Sequence, residues 1–151
     1  MEALDRLLRY LFGLSFRSRL VVSQELDRLV PESFRKLRYF LTWGEVGEIV
    51  ADRFSIGSHT HRHHLSTELS TEDLRADIED SLETLSNKGV IPSSVFCYPG
   101  GRFNEATQQV LTTLPFKAAV TVHRSSDRGK QPLLIGRTGM HEDISSTRSL
   151  F

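Results

Sequence analysis

The feature that most restricts the fold of this chain is the alternation of strand and helix patterns in its second half. Strand patterns at 95–98 and 117–122 flank a helix pattern at 105–114, and a third strand pattern follows at 133–135. A longer helix pattern begins upstream of them at Ser70. This order is typical of parallel strands joined by right-handed crossovers. We therefore expect an α/β fold.

The helix that begins at Ser70 has the clearest periodicity in the sequence. One face carries the apolar residues Leu74, Ile78, Leu82 and Leu85, and Gly89 follows as a C-terminal cap. The other face is acidic, with Glu72, Asp73, Asp77, Glu79, Asp80 and Glu83. The early carboxylates suit the helix dipole. We expect the acidic face to be solvated.

The first half of the chain has helical patterns. Residues 2–12 form an amphipathic pattern ended by Gly13, and we expect its apolar face to pack on a core rather than on a partner. A second short helix is expected at 23–30, and a third, with a solvated basic face, at 32–40. Thr42 and Glu45 have the form of a capping box that opens a fourth helix. We divide the chain into an N-terminal helical segment, 1–40, and a main domain, 41–151.

Charge and hydropathy exclude several classes of protein. Lys and Arg together number 19, as do Asp and Glu, so no overall basic field attracts nucleic acid. Charged residues interrupt the first 14 positions, which argues against a membrane span or a signal peptide. We provisionally expect a cytoplasmic location and leave the oligomeric state open. The single cysteine, Cys97, excludes an intrachain disulfide.

A cluster of histidines is the strongest indication of chemistry. Four of the six histidines fall in one run of six residues: His59, His61, His63 and His64. Neutral imidazoles are common metal ligands. On a helical turn His59 and His63 would share a face, whereas on an extended chain His59, His61 and His63 would do so. The spacing alone leaves both geometries open.

Two motifs follow strand patterns and are expected to meet. The histidine cluster comes after a short strand pattern at 54–57, and a Pro-Gly-Gly loop at 99–103 comes after the strand pattern at 95–98. In parallel α/β folds the carboxyl ends of the strands carry the chemistry. We therefore expect a metal site and this loop on one rim of the sheet.

Together these motifs resemble the polysaccharide deacetylase family, which has the NodB-homology domain. The segment His59-Thr60-x-x-His63 matches the family's metal motif, His-Ser/Thr-x-x-His. The run Phe96-Cys97-Tyr98-Pro99-Gly100-Gly101, followed by an aromatic residue and Asn104, resembles a groove-forming loop of the family. The resemblance covers about 41–122 and extends more weakly to 143.

The resemblance implies a fold, a reaction and a set of site residues. The fold would be a partial or distorted (β/α) barrel with extra N-terminal helices, and the reaction would be metal-dependent hydrolysis of acetyl groups from an acetylated carbohydrate. His59 and His63 would bind a divalent metal, best matched by zinc, which polarises the acetyl carbonyl. The Gly100 backbone N–H would help to hold the oxyanion, and His141 would be the general acid, with His123 a second candidate. Substrate would be bound by Tyr98, Pro99, Gly101, Arg102 and Phe103, although Tyr98 and Phe103 could equally pack in the core.

The departures from the family pattern are as informative as the matches. The family's Thr-Phe-Asp-Asp-Gly motif, which supplies a general base and a carboxylate ligand, is absent from the 151 residues. Cys97 occupies the position of the motif arginine, and His64 that of a proline. We expect a chain that lacks the first strand or strands of the barrel, with His61 or His64 as a possible third ligand.

Three functions are compatible with these residues. The first is acetyl-group hydrolysis. The second is an inactive or truncated homologue that binds only carbohydrate or metal, which the missing carboxylates favour. The third is an unrelated histidine-rich metal-handling module, in which His61 and His64 would matter as much as His59 and His63.

Overall fold

A computed structural model of the chain describes residues 2–35, 40–122 and 131–137. The chain divides into two compact units, Met1–Val46 and Gly47–Phe151. The site residues with described positions all lie in the second unit. The boundary between the units differs by a few residues from the division expected at 40.

The first unit is helical. It contains α1 (Glu2–Gly13), α2 (Phe16–Leu29), the single turn α3 (Glu32–Arg35) and the start of α4 (Trp43–Ala51). The prediction for α1 is confirmed, but its apolar residues Leu4, Leu8 and Phe12 are exposed rather than packed in a core. The α2 helix begins earlier than predicted because Ser15 caps it, its hydroxyl accepting from the Ser18 N–H.

The predicted capping box at the start of α4 is confirmed. The Glu45 N–H donates to Thr42 Oγ1 at 3.3 Å, and Glu45 Oε2 accepts from the Thr42 N–H at 2.7 Å. These two bonds satisfy N–H groups that the first turn of a helix leaves without intrahelical partners. None of the described helices is both long and apolar enough to cross a membrane.

The second unit is built on a small parallel sheet. Strand β1 (Val95–Cys97) pairs in parallel with β2 (Ala118–Val120), and Ile135 adds a single parallel bridge to Val120. The helices α5 (Thr71–Asn87) and α6 (Glu105–Thr112) pack against each other, and Asn104 caps α6 with a reciprocal bond to Thr107. The predicted order of a helix after Ser70, a strand at 95–98, a helix at 105–114 and a strand at 117–122 is confirmed, whereas the strand expected at 133–135 is only this single bridge. The described residues form an open sheet rather than a closed barrel.

One core joins the sheet to the two helices. It consists of Leu74, Ile78, Phe96, Tyr98, Val110, Leu111, Phe116 and Ala119. Phe96 lies edge-on to Tyr98, with the ring centroids 5.3 Å apart. This geometry is favourable for aromatic pairs. The carboxyl end of β1 is therefore held in a rigid setting.

The predicted strand at 54–57 is wrong as a strand, although the segment passes close to β1. The Ile56 carbonyl accepts from the Ser93 N–H at 2.8 Å, and the Ser58 carbonyl accepts from the Cys97 N–H at 3.0 Å. A regular ladder would next direct a backbone N–H to the Cys97 carbonyl. Here the side chain of His59, rather than a backbone N–H, bonds the Cys97 carbonyl.

Candidate metal centre

His59 is fixed by the backbone of β1. Its Nδ1 lies 2.7 Å from the Cys97 carbonyl oxygen. A carbonyl only accepts, so Nδ1 carries the proton and Nε2 is the unprotonated nitrogen of the neutral ring. Metal-binding histidines characteristically donate their other ring N–H to a carbonyl or carboxylate in this way. The bond therefore selects the tautomer that leaves Nε2 available as a ligand.

The surroundings of His59 favour the neutral ring. Burial lowers the pKa of His59 below its ordinary value, and electrostatic repulsion from the His63 and Arg137 side chains acts in the same direction. The hydrogen bond to Cys97 opposes this shift. A metal competes with a proton for the same nitrogen, so a depressed pKa makes His59 a better ligand near neutral pH.

His63 lies beside His59. The ring centroids are 4.8 Å apart and the ring planes are inclined at 68°. The chain between them follows neither geometry that the spacing left open, because Thr60 has φ 63° and His63 has φ 57°. These two left-handed residues turn the chain back, and the rings meet across a loop rather than along a helix or a strand.

The other histidines with described positions, His61 and His64, do not complete a three-residue ligand set. In the described part of the chain, no group of three His, Cys, Asp or Glu side chains is placed to hold a metal ion. His61 is exposed and His64 is partly exposed. His123 and His141 lie outside the described residues. A catalytic zinc site usually has three protein ligands, and the two imidazoles of His59 and His63 would supply two of them.

The loop after β1 is partly buried. The Tyr98 side chain is fully buried and packs in the core, which is the second of the two roles that the sequence left open for it. Pro99 is also buried. Gly101 has φ 66°, and a Cβ there would lie 2.7 Å from the Val122 nitrogen. Gly101 is therefore required by packing. Phe103 is partly buried and packs on Tyr98, with the ring centroids 5.4 Å apart.

Gly100 and Arg102 are the exposed residues of this loop. Gly100 has φ 60°, a conformation that favours glycine. The N–H groups of Gly101 and Arg102 donate to the carbonyls of Tyr98 and Pro99. Among the described residues, no partner accepts from the Gly100 N–H. This free N–H is compatible with the oxyanion contact expected there.

Two residues near the histidine loop, Asp77 and Arg137, were not predicted as part of the site. Asp77 on α5 is 1% exposed and binds Arg62, although it was expected on a solvated face. Its position, three residues after Leu74 and one before Ile78, places it on the buried stripe of the helix, so periodicity could have identified it. Arg137 donates from Nε to the Thr121 carbonyl at 3.0 Å. Nothing local in the sequence indicated that Arg137 would lie near His59.

Comparisons with known proteins identify the family and the fold. The polysaccharide deacetylase family model matches residues 21–119. The structure is similar to that of the Streptococcus pyogenes deacetylase PplD in complex with acetate, at 25% identity and a TM-score of 0.62 over 70% of this chain and 47% of that chain. It is also similar in fold to IcaB from Ammonifex degensii, at 22% identity and a TM-score of 0.59 over 69% of this chain and 49% of that chain.

The structural matches cover more than two thirds of this chain but less than half of each matched protein. The chain spans about half the length of each of the two solved structures. A search of curated proteins gave no match. The family match covers well over half of the chain and includes both the histidine loop and the loop after β1. The chain belongs to the polysaccharide deacetylase family.

Proposed function

We propose that this chain contributes to the metal-dependent hydrolysis of acetyl groups from an acetylated sugar or polysaccharide. The observation that carries the proposal is the bond from His59 Nδ1 to the Cys97 carbonyl, with the His63 ring beside it. In metal-binding histidines, the ring nitrogen that does not bind the metal commonly donates to a carbonyl in this way, and the bond fixes the orientation of the ring. The family match supports the reaction class, removal of acetyl groups from a polysaccharide.

His59 and His63 would hold the metal, and zinc suits two neutral imidazoles best. When bound, the metal would act as a Lewis acid on the acetyl carbonyl. Two residues of the loop after β1 would contact the substrate. The Gly100 N–H would donate to the oxygen that gains charge, and the exposed Arg102 would contact the sugar beside it.

The second candidate function is a homologue that binds metal or carbohydrate without hydrolysing it. It is favoured by the absence of a Thr-Phe-Asp-Asp-Gly motif from the 151 residues and by the lack of a third ligand among those described. A general base commonly contributes a factor of about 10²–10⁴ to the rate. A chain without one would retain binding and release acetate slowly.

Acetate release separates the two candidates. The purified chain, loaded with zinc, would be incubated with N-acetylated and O-acetylated oligosaccharides, and acetate would be measured against His63→Ala. Release that exceeds the variant's supports hydrolysis. Saturable oligosaccharide binding without release supports the binding homologue. Neither binding nor release with any acetylated oligosaccharide would contradict both.

A further inference from the structure

The Asp77 carboxylate is buried where a charge requires partners. The side chain of Asp77 is 2% exposed, and it lies on α5 between the core residues Leu74 and Ile78. A carboxylate withdrawn from water is destabilising unless hydrogen bonds and an opposite charge compensate it. The identity of its partners therefore shows what the residue stabilises.

Those partners belong to the histidine loop. Asp77 Oδ2 accepts from the Arg62 backbone N–H at 3.4 Å, and Oδ1 accepts from Arg62 Nη1 at 3.2 Å. The Asp77 backbone carbonyl accepts from the His61 N–H at 3.2 Å. The backbone N–H groups of His61 and Arg62, which are consecutive in the loop, thus both donate to Asp77.

These bonds lie between the two strained positions of the loop. Thr60 and His63 both have positive φ, and neither is glycine. Such conformations persist only where the surrounding structure enforces them. His61 and Arg62 are the two residues between them, so the contacts to Asp77 are placed to hold the turn that brings His63 back to His59.

We propose that Asp77 is a positioning residue of the metal site: it holds the loop between Thr60 and His63 so that the His63 ring lies against His59. This inference rests on the proposed function for its consequence in metal binding, but not for the loop geometry itself. Asp80 provides a matched comparison. It also accepts from Arg62, from Nη2 at 3.4 Å, but it is half-exposed and, among the described residues, bonds only the Arg62 side chain and not the loop backbone.

The test measures loop geometry and metal binding separately. In metal-free protein, NMR would record the through-space cross-peak between the ring protons of His59 and His63. Zinc affinity would be measured by calorimetry on the same samples. Asp77→Ala is expected to lose the cross-peak and to weaken zinc binding by about 10–100-fold, the usual effect of removing an outer partner of a ligand. Asp80→Ala is expected to retain both.

Two further variants exclude a loss of stability as the cause. Val110→Ala removes core volume from α6, far along the chain from the loop, and is expected to lower stability while leaving the cross-peak and the zinc affinity intact. If Asp77→Ala does not fold, Asp77→Asn decides, because the amide oxygen still accepts from the Arg62 N–H while the ion pair is lost. It is expected to bind zinc more weakly than the parent chain, because the ion pair to Arg62 is lost.

The outcomes are distinct. A folded Asp77→Ala, or Asp77→Asn in its place, that keeps the cross-peak and binds zinc as the parent chain does would overturn the inference and leave the proposed function standing. Loss of the cross-peak in Asp77→Ala, in a protein whose parent chain keeps the cross-peak but binds no zinc, would support the positioning role and contradict the proposed function. Equal zinc loss in Val110→Ala would also overturn the inference.

Discussion

At the level of single residues, the site depends on backbone atoms that a sequence does not display. The carbonyl that orients His59 belongs to Cys97, whose side chain is not part of the bond. Any residue in an extended conformation at that position would offer the same oxygen. The pairing of His59 and His63 was predictable from the motif, whereas the tautomer and the left-handed turn between them required the coordinates.

Gly57 is expected to be essential for the approach of the histidine segment to β1. A Cβ at Gly57 would lie 2.8 Å from the Val95 carbonyl oxygen, so the backbone would have to move. Gly57→Ala should lower the free energy of unfolding by about 1–3 kcal/mol, as overpacking does. Urea denaturation measures the change.

Gly47→Ala is the matched control for that substitution. A Cβ at Gly47 would meet no atom within 4 Å, and the residue lies inside α4. The substitution should be neutral or stabilise the protein by about 0.5–1 kcal/mol through helix propensity. A Gly57→Ala variant as stable as Gly47→Ala would show that the segment does not approach β1 as closely as described.

Tyr98 is expected to ionise late. Its side chain is fully buried and its hydroxyl has no hydrogen-bond partner among the described residues, and desolvation raises its pKa from 10.0 to about 12. The unfolded chain loses this proton at lower pH than the folded chain, so stability should fall as pH rises above the unfolded value. Ultraviolet titration should show a tyrosine that ionises near 12.

Tyr98→Phe provides the control for this titration. The late ionisation should vanish, and the fall in stability above pH 10 should become shallower. If the late component persists in Tyr98→Phe, it belongs to another tyrosine. If all the tyrosines of the parent chain ionise together near 10, the ring is not buried as described.

At the level of elements, helix caps were the most predictable features. Thr42 with Glu45, Ser70 and Asn104 each cap the helix that the sequence indicated, because a cap is a local hydrogen bond between residues three apart. The segment at 54–57 was predicted incorrectly because its alternation is local, whereas strand pairing depends on distant partners. Asp77 was placed on the wrong face because its charge was given more weight than its position in the helical period.

The cap at Asn104 gives a quantitative expectation. Asn104 Oδ1 accepts from the Thr107 N–H at 2.8 Å, and Thr107 Oγ1 accepts from the Asn104 N–H at 2.9 Å. Asn104→Ala should lower the free energy of unfolding by about 1 kcal/mol, and Asn104→Asp, which keeps an acceptor, should retain most of it. Thermal denaturation compares them. Equal losses in both variants would argue against the cap.

At the level of the whole molecule, the family and the general fold followed from the order of motifs. The α/β class was predictable because strand and helix patterns alternate, and the structural similarity to two deacetylases agrees with it. A complete barrel could not be inferred, since strand pairing over long distances is not encoded in local patterns. The described sheet contains β1, β2 and a bridge at Ile135, and the family match ends at residue 119.

How far the candidate metal ligands could be predicted is also a question about the whole molecule. Two candidate ligands, His59 and His63, could be proposed from the sequence because they lie four residues apart in one motif. For the suggestion that His61 or His64 supplies a third ligand, no three-residue group is found among the described positions. The account therefore rests on His59 and His63.

Zinc calorimetry on the parent chain, His59→Ala, His63→Ala and His61→Ala tests that claim most directly. We expect one zinc ion per chain, with affinity reduced by more than about 100-fold in the His59 and His63 variants, since losing a ligand exceeds the effect of losing an outer partner. His61→Ala, in the same loop and exposed, should bind as the parent does. Equal losses in all three variants, or none, would contradict a metal site built on His59 and His63.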